Sequence, residues 1–302
     1  MLGMLDVVVG LIFVLLLFSL LATTVMELLS SALALRGKNL EKALKNMLAS
    51  SDRDEQMFQA FKNNSLYRQM SQRYGKRRRS PSYLSADSFQ SILFDVLLKG
   101  EKPVELTERI EQIPDEDLKN VLRQLLNDAD YELDRFRDNV RHWYDGVMDR
   151  ASGWYKRNIQ QILVVIGLLI AVLFNADTIA IYERLESDPE SLQQILTMAE
   201  DYVLVNQDSD SLQPATISPE FEESLAQVKQ LINQEIEEAS APLGLGWSSV
   251  ELDKLNVLDW IYKVLGWIVT ALAISLGAPF WFDLLRKLVN IRSAGNKPKT
   301  SS

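Results

Sequence analysis

Three stretches of this chain carry no charge over the length of a membrane span: residues 7–26, 158–176 and 264–282. At about 1.5 Å of rise per residue, each is long enough, as a helix, to cross roughly 30 Å of hydrocarbon. The first contains the unbroken sequence Leu11, Ile12, Phe13, Val14, Leu15, Leu16, Leu17 and Phe18. The second has Gln160, Gln161 and Asn175 at its ends. The third has Trp260 and Trp267 near one end and Phe280, Trp281 and Phe282 at the other. Tryptophan suits the headgroup level because its ring is apolar and its N–H needs a partner. Trp154, Trp247, Trp260, Trp267 and Trp281 are therefore expected as interfacial anchors. A cleaved signal peptide fits the first run poorly, because Asp6 precedes it and no Lys or Arg does.

Sidedness follows from the basic residues beside the runs. Arg36, Lys38, Lys42 and Lys45 follow the first; Arg150, Lys156 and Arg157 precede the second; Arg286, Lys287, Arg292, Lys297 and Lys299 follow the third. Only Arg184, Lys254 and Lys263 flank the opposite ends. The positive-inside tendency predicts an external N-terminus and a cytoplasmic C-terminus. The expected layout is a first transmembrane helix over 1–35, a cytoplasmic helical domain over 36–157 and a second span over 158–176. An acidic periplasmic domain over 177–256, a third span over 257–285 and a basic cytoplasmic tail over 286–302 complete it. Net charge supports the assignment: residues 36–157 hold 23 basic and 20 acidic residues, residues 177–256 hold 3 and 17.

The expected fold class is mostly α. In the cytoplasmic part, Leu40, Ala43, Leu44, Met47 and Leu48 form one stripe. Ser85 is a candidate N-cap for a helix burying Phe89, Ile92, Leu93, Val96 and Leu97, stopped by Gly100. Asp115-Glu116-Asp117 suits a helix start. From there Leu118, Leu122, Leu125, Ala129, Leu133, Phe136, Val140, Trp143 and Val147 recur at helical spacing, which predicts one long amphipathic helix ending at Gly153. Lys76-Arg77-Arg78-Arg79 is read as a loop able to touch anionic headgroups. Four basic residues in a nearly neutral domain argue against nucleic acid. Externally, Asp188-Pro189 and Ser218-Pro219 each start a helix. Asp208-Ser209-Asp210 lacks the downstream pattern of a calcium loop. Pro242, Gly244 and Gly246 make a hinge-like loop.

Few residues offer chemistry. The chain has no Cys and one histidine, His142, read as a surface residue. That excludes thiolate sites and any site needing two imidazoles. Gly10, Gly37 and Gly100 are isolated and build no phosphate loop. Glu27 and Asp283 are expected to pair with an interfacial basic collar of Arg286, Lys287, Lys156 and Arg157, because an unpaired carboxylate near lipid is costly. Gly266, Thr270, Ala273 and Gly277 permit close helix approach, within the bundle or between subunits, and Pro279 kinks the third span.

Pro81-Ser82-Tyr83-Leu84, Ser152-Gly153-Trp154-Tyr155-Lys156-Arg157, Pro242-Leu243-Gly244 with Trp247, and above all Gly277-Ala278-Pro279-Phe280-Trp281-Phe282-Asp283-Leu284-Leu285 resemble a group of uncharacterised bacterial integral membrane proteins. The resemblance implies the bacterial inner membrane and the same three-span layout; it implies no activity. The functional expectation is a non-enzymatic membrane anchor or scaffold, without cofactor or metal, forming a homo-oligomer and presenting its cytoplasmic helices to a protein partner. One rival is an oligomeric channel or transporter subunit, for which Ser19, Thr23, Thr24, Thr270 and Ser275 are the available pore-lining groups. Another is a membrane-bound hydrolase.

Overall fold

Apolar helices need every backbone polar group satisfied internally, and this chain satisfies them almost entirely with helix. A computed structural model describes residues 2–50, 55–74, 77–98, 106–206, 221–247 and 256–295, with backbone alone at 2, 72–74, 77–78, 221–224 and 293–295. Among the described residues, three helices are long and apolar enough to cross a membrane. The chain divides into two compact units: unit 1 comprises 1–32 with 159–302, and unit 2 comprises 33–158.

Unit 2 is built from α2 (Leu35–Leu48), α3 (Gln56–Asn63), α4 (Ser65–Met70), a short antiparallel hairpin of β1 (Gln72–Tyr74) and β2 (Arg77–Arg79), α5 (Ala86–Leu98), α6 (Leu106–Glu111), α7 (Glu116–Asp128) and the first part of α8 (Leu133–Leu173). The expected stripes meet in one core: Leu40, Leu44 and Leu48 of α2, Phe89, Ile92 and Leu93 of α5, Leu118 and Leu122 of α7, Phe136, Val140 and Tyr144 of α8. Tyr144 stacks on Phe89 at 4.6 Å and donates its hydroxyl to the Leu84 carbonyl at 2.6 Å. Both start signals act as caps. The Ser88 amide donates to Ser85 Oγ at 3.1 Å, and the Leu118 amide to Asp115 Oδ1 at 2.8 Å. Gly37 is not idle: a Cβ there would lie 2.6 Å from the Ser80 carbonyl oxygen, so only glycine admits this crossing of backbones.

Two expectations in this unit are corrected. The long amphipathic helix is two helices, broken where Asp130 (φ 52°) and Tyr131 (φ 62°) take the left-handed conformation. The periodicity hid the break because both helices bury their stripes in the same core. Gly153, expected to end the second, sits inside α8, which runs unbroken for 41 residues to Leu173. The basic run, expected as a loop, contributes Arg77, Arg78 and Arg79 to a strand; Lys76 lies outside the described residues.

Unit 1 is organised around α1 (Leu2–Leu33). Every residue from Ile12 to Phe18 is buried, which over nearly two turns requires protein on all sides. The wrapping elements are α9 (Thr178–Ser187), α10 (Pro189–Val205) and α14 (Ala278–Gly295). Gly10 abuts Leu185 and Ile195, and Phe13 meets Tyr202 at 5.9 Å between ring centroids. α11 (Phe221–Gln230), a single π-helical stretch (Leu231–Ile236) and α12 (Glu237–Leu243) follow, and α12 packs on α9 and α10. Asp188 caps α10 as expected, accepting the Glu190 amide at 3.1 Å. Asp208-Ser209-Asp210 and Ser218-Pro219 lie outside the described residues.

The third span is also corrected. The apolar helix α13 (Val257–Ile274) stops short, and Gly277 (φ +88°) turns the chain into α14, so residues 286–295 are helix rather than tail. α13 runs antiparallel to the end of α8: Gly266 lies at Asp177, while Ile274 lies at Gly167. α14 then heads toward the start of α1. Ser19 Oγ donates to the Ile274 carbonyl at 3.4 Å, Phe282 meets Tyr202 beside Phe13, and Arg292 reaches Asp6. Three straight spans would put Asp6 and Arg292 on opposite sides of a hydrocarbon layer about 30 Å thick; here they are 2.7 Å apart.

Candidate functional site

Charges in and near an apolar unit are the first place to look for chemistry, because each must be paired or used. In unit 1, Arg292 is the hub. Its guanidinium donates to Asp6 of α1 at 2.7 Å and also to Glu200 of α10, and its side chain is only 13% exposed. The triad ties three elements together. It contains no nucleophile and no base free to act.

Within unit 1, two residues of the expected collar meet. Asp283 pairs with Arg286 one turn away at 3.4 Å, both exposed, and Arg286 lies over the Phe282 ring. Phe282 is at the level of Phe13, through Tyr202, whereas Glu27 is 14 residues further along α1, about 21 Å away. Lys287 is exposed on α14; Lys156 and Arg157 are exposed in unit 2. A third span merely kinked at Gly277-Ala278-Pro279 would bring Asp283 to Glu27's end; the turn at Gly277 takes it the other way.

A polar knot closes the end of α8. Asp177 caps α9 by accepting the Ile179 amide at 2.9 Å, and its carboxylate occupies the space a Cβ on Gly266 would need. Thr270 donates to the Ala176 and Gly266 carbonyls, both at 2.8 Å, and accepts the Thr178 amide at 3.1 Å. Gly246 and Trp247 dock here rather than forming a free hinge. The Gly246 amide donates to the Phe174 carbonyl at 2.8 Å and Trp247 Nε1 to the Val172 carbonyl at 2.9 Å. Lys263 lies 5.8 Å over both the Trp247 and Trp267 rings. Thus the small residues Gly266 and Thr270 work within the protomer, Ala273 offers its carbonyl to Trp281 Nε1 at 2.7 Å, and Pro279 lies in the first turn of α14, where it lacks no needed donor. Of the expected anchors, Trp267 and Trp281 are buried, whereas Trp154 and Trp260 are exposed.

Among the clefts of unit 2, two are lined by charged side chains from separate helices. One, of about 530 Å³, includes Arg79, the described end of the basic run, with Lys62, Arg68, Ser80 and Glu41. Burial works to raise the Glu41 carboxyl, but hydrogen bonds from Lys62 and Ser80 outweigh it and hold it below the usual carboxylate range. The other, of about 550 Å³, runs between α2, the start of α7 and α8. Its wall on α8 is Trp143, Val147, Arg150, Trp154 and Asn158, one face at helical spacing. Lys42 faces it from α2 and Asp117 from α7. In the sequence Lys42 and Arg150 are only flanking charge, because nothing local says that separate helices bring them to one cleft.

In the first cleft the Ser80 hydroxyl and the Lys62 ammonium both donate to the Glu41 carboxylate. Among the described residues no group of three or more His, Asp or Glu side chains gathers as a metal would require, and His142 is exposed. Family models, curated proteins and solved structures were each compared with the chain, and none matches.

Proposed function

We propose that this chain is a membrane-mounted helical platform rather than an enzyme: an anchor in the bacterial inner membrane that offers unit 2 to a cytoplasmic protein partner, as a homo-oligomer. The observation that carries the reading is α8. Its first part fills the unit 2 core through Phe136, Val140 and Tyr144, and its last part leaves Val165, Leu168, Leu169 and Leu173 exposed. A helix continuous from a packed core into an uncovered apolar face is a mount. α13 adds Ile261, Leu265, Ile268, Val269 and Leu272 to the uncovered surface, far more than a water-soluble surface tolerates.

In this reading α1 and α8 cross the membrane, and their basic flanks, Arg36 to Lys45 and Arg150 to Arg157, face the cytoplasm. α13 and α14 form a re-entrant hairpin from the other side. Ile274 comes only as far as Gly167, the middle of the second apolar run. The amides of Ser275, Leu276 and Gly277 are taken by the Ala271, Ala273 and Ile274 carbonyls, as a turn in hydrocarbon requires. The channel reading is disfavoured by its own candidate residues. The hydroxyls of Ser19, Thr23, Thr24, Thr270 and Ser275 all donate to backbone carbonyls, which leaves them poorly placed to coordinate an ion.

The chain has no cysteine, so single cysteines can be introduced without background labelling. A spin label on Val165→Cys in the full reconstituted chain should relax with lipid-dissolved oxygen and be shielded from a water-soluble nickel chelate, as a lipid-facing side chain is. The reverse accessibility would remove the mount. Steady ion flux through liposomes containing the purified protein would replace the platform with a channel. For the layout, Met4→Cys and Ile291→Cys should react with an impermeant maleimide from the same side of the membrane; reaction from opposite sides would overturn the hairpin.

A further inference from the structure

We infer that the cleft between α2, α7 and α8 is a headgroup site for a phospholipid whose head carries both a phosphate and a primary amine. Three observations converge. The first is charge: the cleft presents two cations, Lys42 and Arg150, neither of which has an ion pair among the described residues. Its two carboxylates differ. Asp115 is consumed as the α7 cap, accepting the Leu118 and Ser50 amides, whereas Asp117 is exposed and has no ion pair among the described residues. A purely anionic head would meet Asp117 as a repulsion, and a simple cation would meet Lys42 and Arg150. A zwitterion satisfies both signs at once.

The second is position along one helix. Asn158, at one end of the lining, is the first residue of the uncharged run, and Arg150 lies two turns earlier, about 12 Å down the same helix. The headgroup layer of one leaflet is about 5–7 Å deep, half of what separates total from hydrocarbon thickness. The cleft therefore starts at the hydrocarbon boundary and extends about twice the depth of a lipid head, so that a head held with its phosphate at Lys42 and Arg150 and its amine at Asp117 is drawn out of the headgroup plane into the protein. The third is the lining: Trp143 and Trp154 give two aromatic faces to such an amine and to the glycerol carbons, and Trp154 is 59% exposed, which water alone would penalise. A volume of about 550 Å³ admits a head of this size.

The inference takes from the bilayer reading only where the cleft opens. The test uses the full chain in discs containing equal amounts of phosphatidylethanolamine, phosphatidylglycerol and phosphatidylcholine, with retained lipid identified by native mass spectrometry. Retained phosphatidylethanolamine should be enriched over the other two. Arg150→Gln should lower that retention about tenfold, the equivalent of one charge-assisted hydrogen bond. Asp117→Asn should shift the preference toward phosphatidylglycerol, and the exposed Arg68→Gln in the other cleft should change nothing. Retained lipid of bulk composition, or retention indifferent to Arg150→Gln in a chain with unchanged helicity, would overturn the site. Binding of water-soluble glycerophosphoethanolamine to the delipidated full chain in detergent reads the cleft without a bilayer. It should bind and weaken in Arg150→Gln, whereas equal binding of inorganic phosphate would show an anion site and no head recognition. Failure of membrane insertion would leave this last measurement standing, so the two readings fail separately.

Discussion

Arg292 Nε donates to Asp6 Oδ1 across 2.7 Å, joining side chains 286 positions apart in the sequence. The same guanidinium holds Glu200, so α1, α10 and α14 share one cation. Replacing it would leave two carboxylates without their counter-charge. Arg292→Met should destabilise unit 1 by about 2–3 kcal/mol, below the full value for a buried pair because Glu200 is partly exposed. Asp6→Asn should cost less, since Glu200 still pairs. The check is thermal unfolding of the full chain in detergent. Equal losses from the two substitutions would show that the Asp6 pair carries the whole effect and Glu200 none of it.

How far the sequence foretold this arrangement depends on the range of the interaction. Caps at Ser85, Asp115 and Asp188 were legible because a cap is decided within three residues. The core stripes of α2, α5, α7 and α8 were legible because periodicity is local too. The break at Asp130 was not, since a stripe continues in register whether its two halves are one helix or two that bury against the same core. Nor was the turn at Gly277: an apolar run with Gly-Ala-Pro serves equally a kinked span and a hairpin, and only the packing of α14 on α10 and Arg292 on Asp6 decides between them. The clefts were hidden for the same reason, their charges coming from α2, α7 and α8 together.

Unit 2 should lose stability in acid through two carboxyls. Burial tends to raise Asp115, but the Leu118 and Ser50 amides prevail and lower it; Glu41 is lowered in the same way by Lys62 and Ser80. A carboxyl with a depressed folded pKa takes up its proton first in the unfolded chain. Its contribution is thus complete above the ordinary carboxylate range, about pH 4–5, and is lost as pH falls through the folded values. Asp115→Asn keeps a good cap without the charge, so it should flatten the dependence of denaturation midpoint on pH between about 5 and 3. An unchanged slope would mean that the acid response lies elsewhere.

Gly37→Ala tests how α2 is joined to the segment leading into α5. The added methyl would sit 2.6 Å from a backbone oxygen, that of Ser80, and backbone has no rotamer to yield. Either α2 moves or the segment does, and the second choice pulls Ser80 from Glu41. We expect a loss of about 1–3 kcal/mol, as for overpacking in a core, with faster hydrogen exchange around residues 80–84. An alanine accommodated without loss would show that this crossing is loose.

Gly266→Ala tests the knot at the end of α8 with a built-in rescue. The new Cβ would lie 1.7 Å from Asp177 Oδ1, so the carboxylate must leave the position from which it caps α9. The lost cap costs about 1 kcal/mol and the crowding about 1–3 more. Shortening the cap should relieve the clash while still accepting the α9 amides. Asp177→Ser alone should therefore be nearly neutral, yet in the Gly266→Ala background it should restore most of the lost unfolding temperature. Such coupling appears only if the two residues compete for the same space. Additive losses in the double variant would place the cost of Gly266→Ala in the close approach of α13 and the α8 end, leaving Asp177 without a part in it.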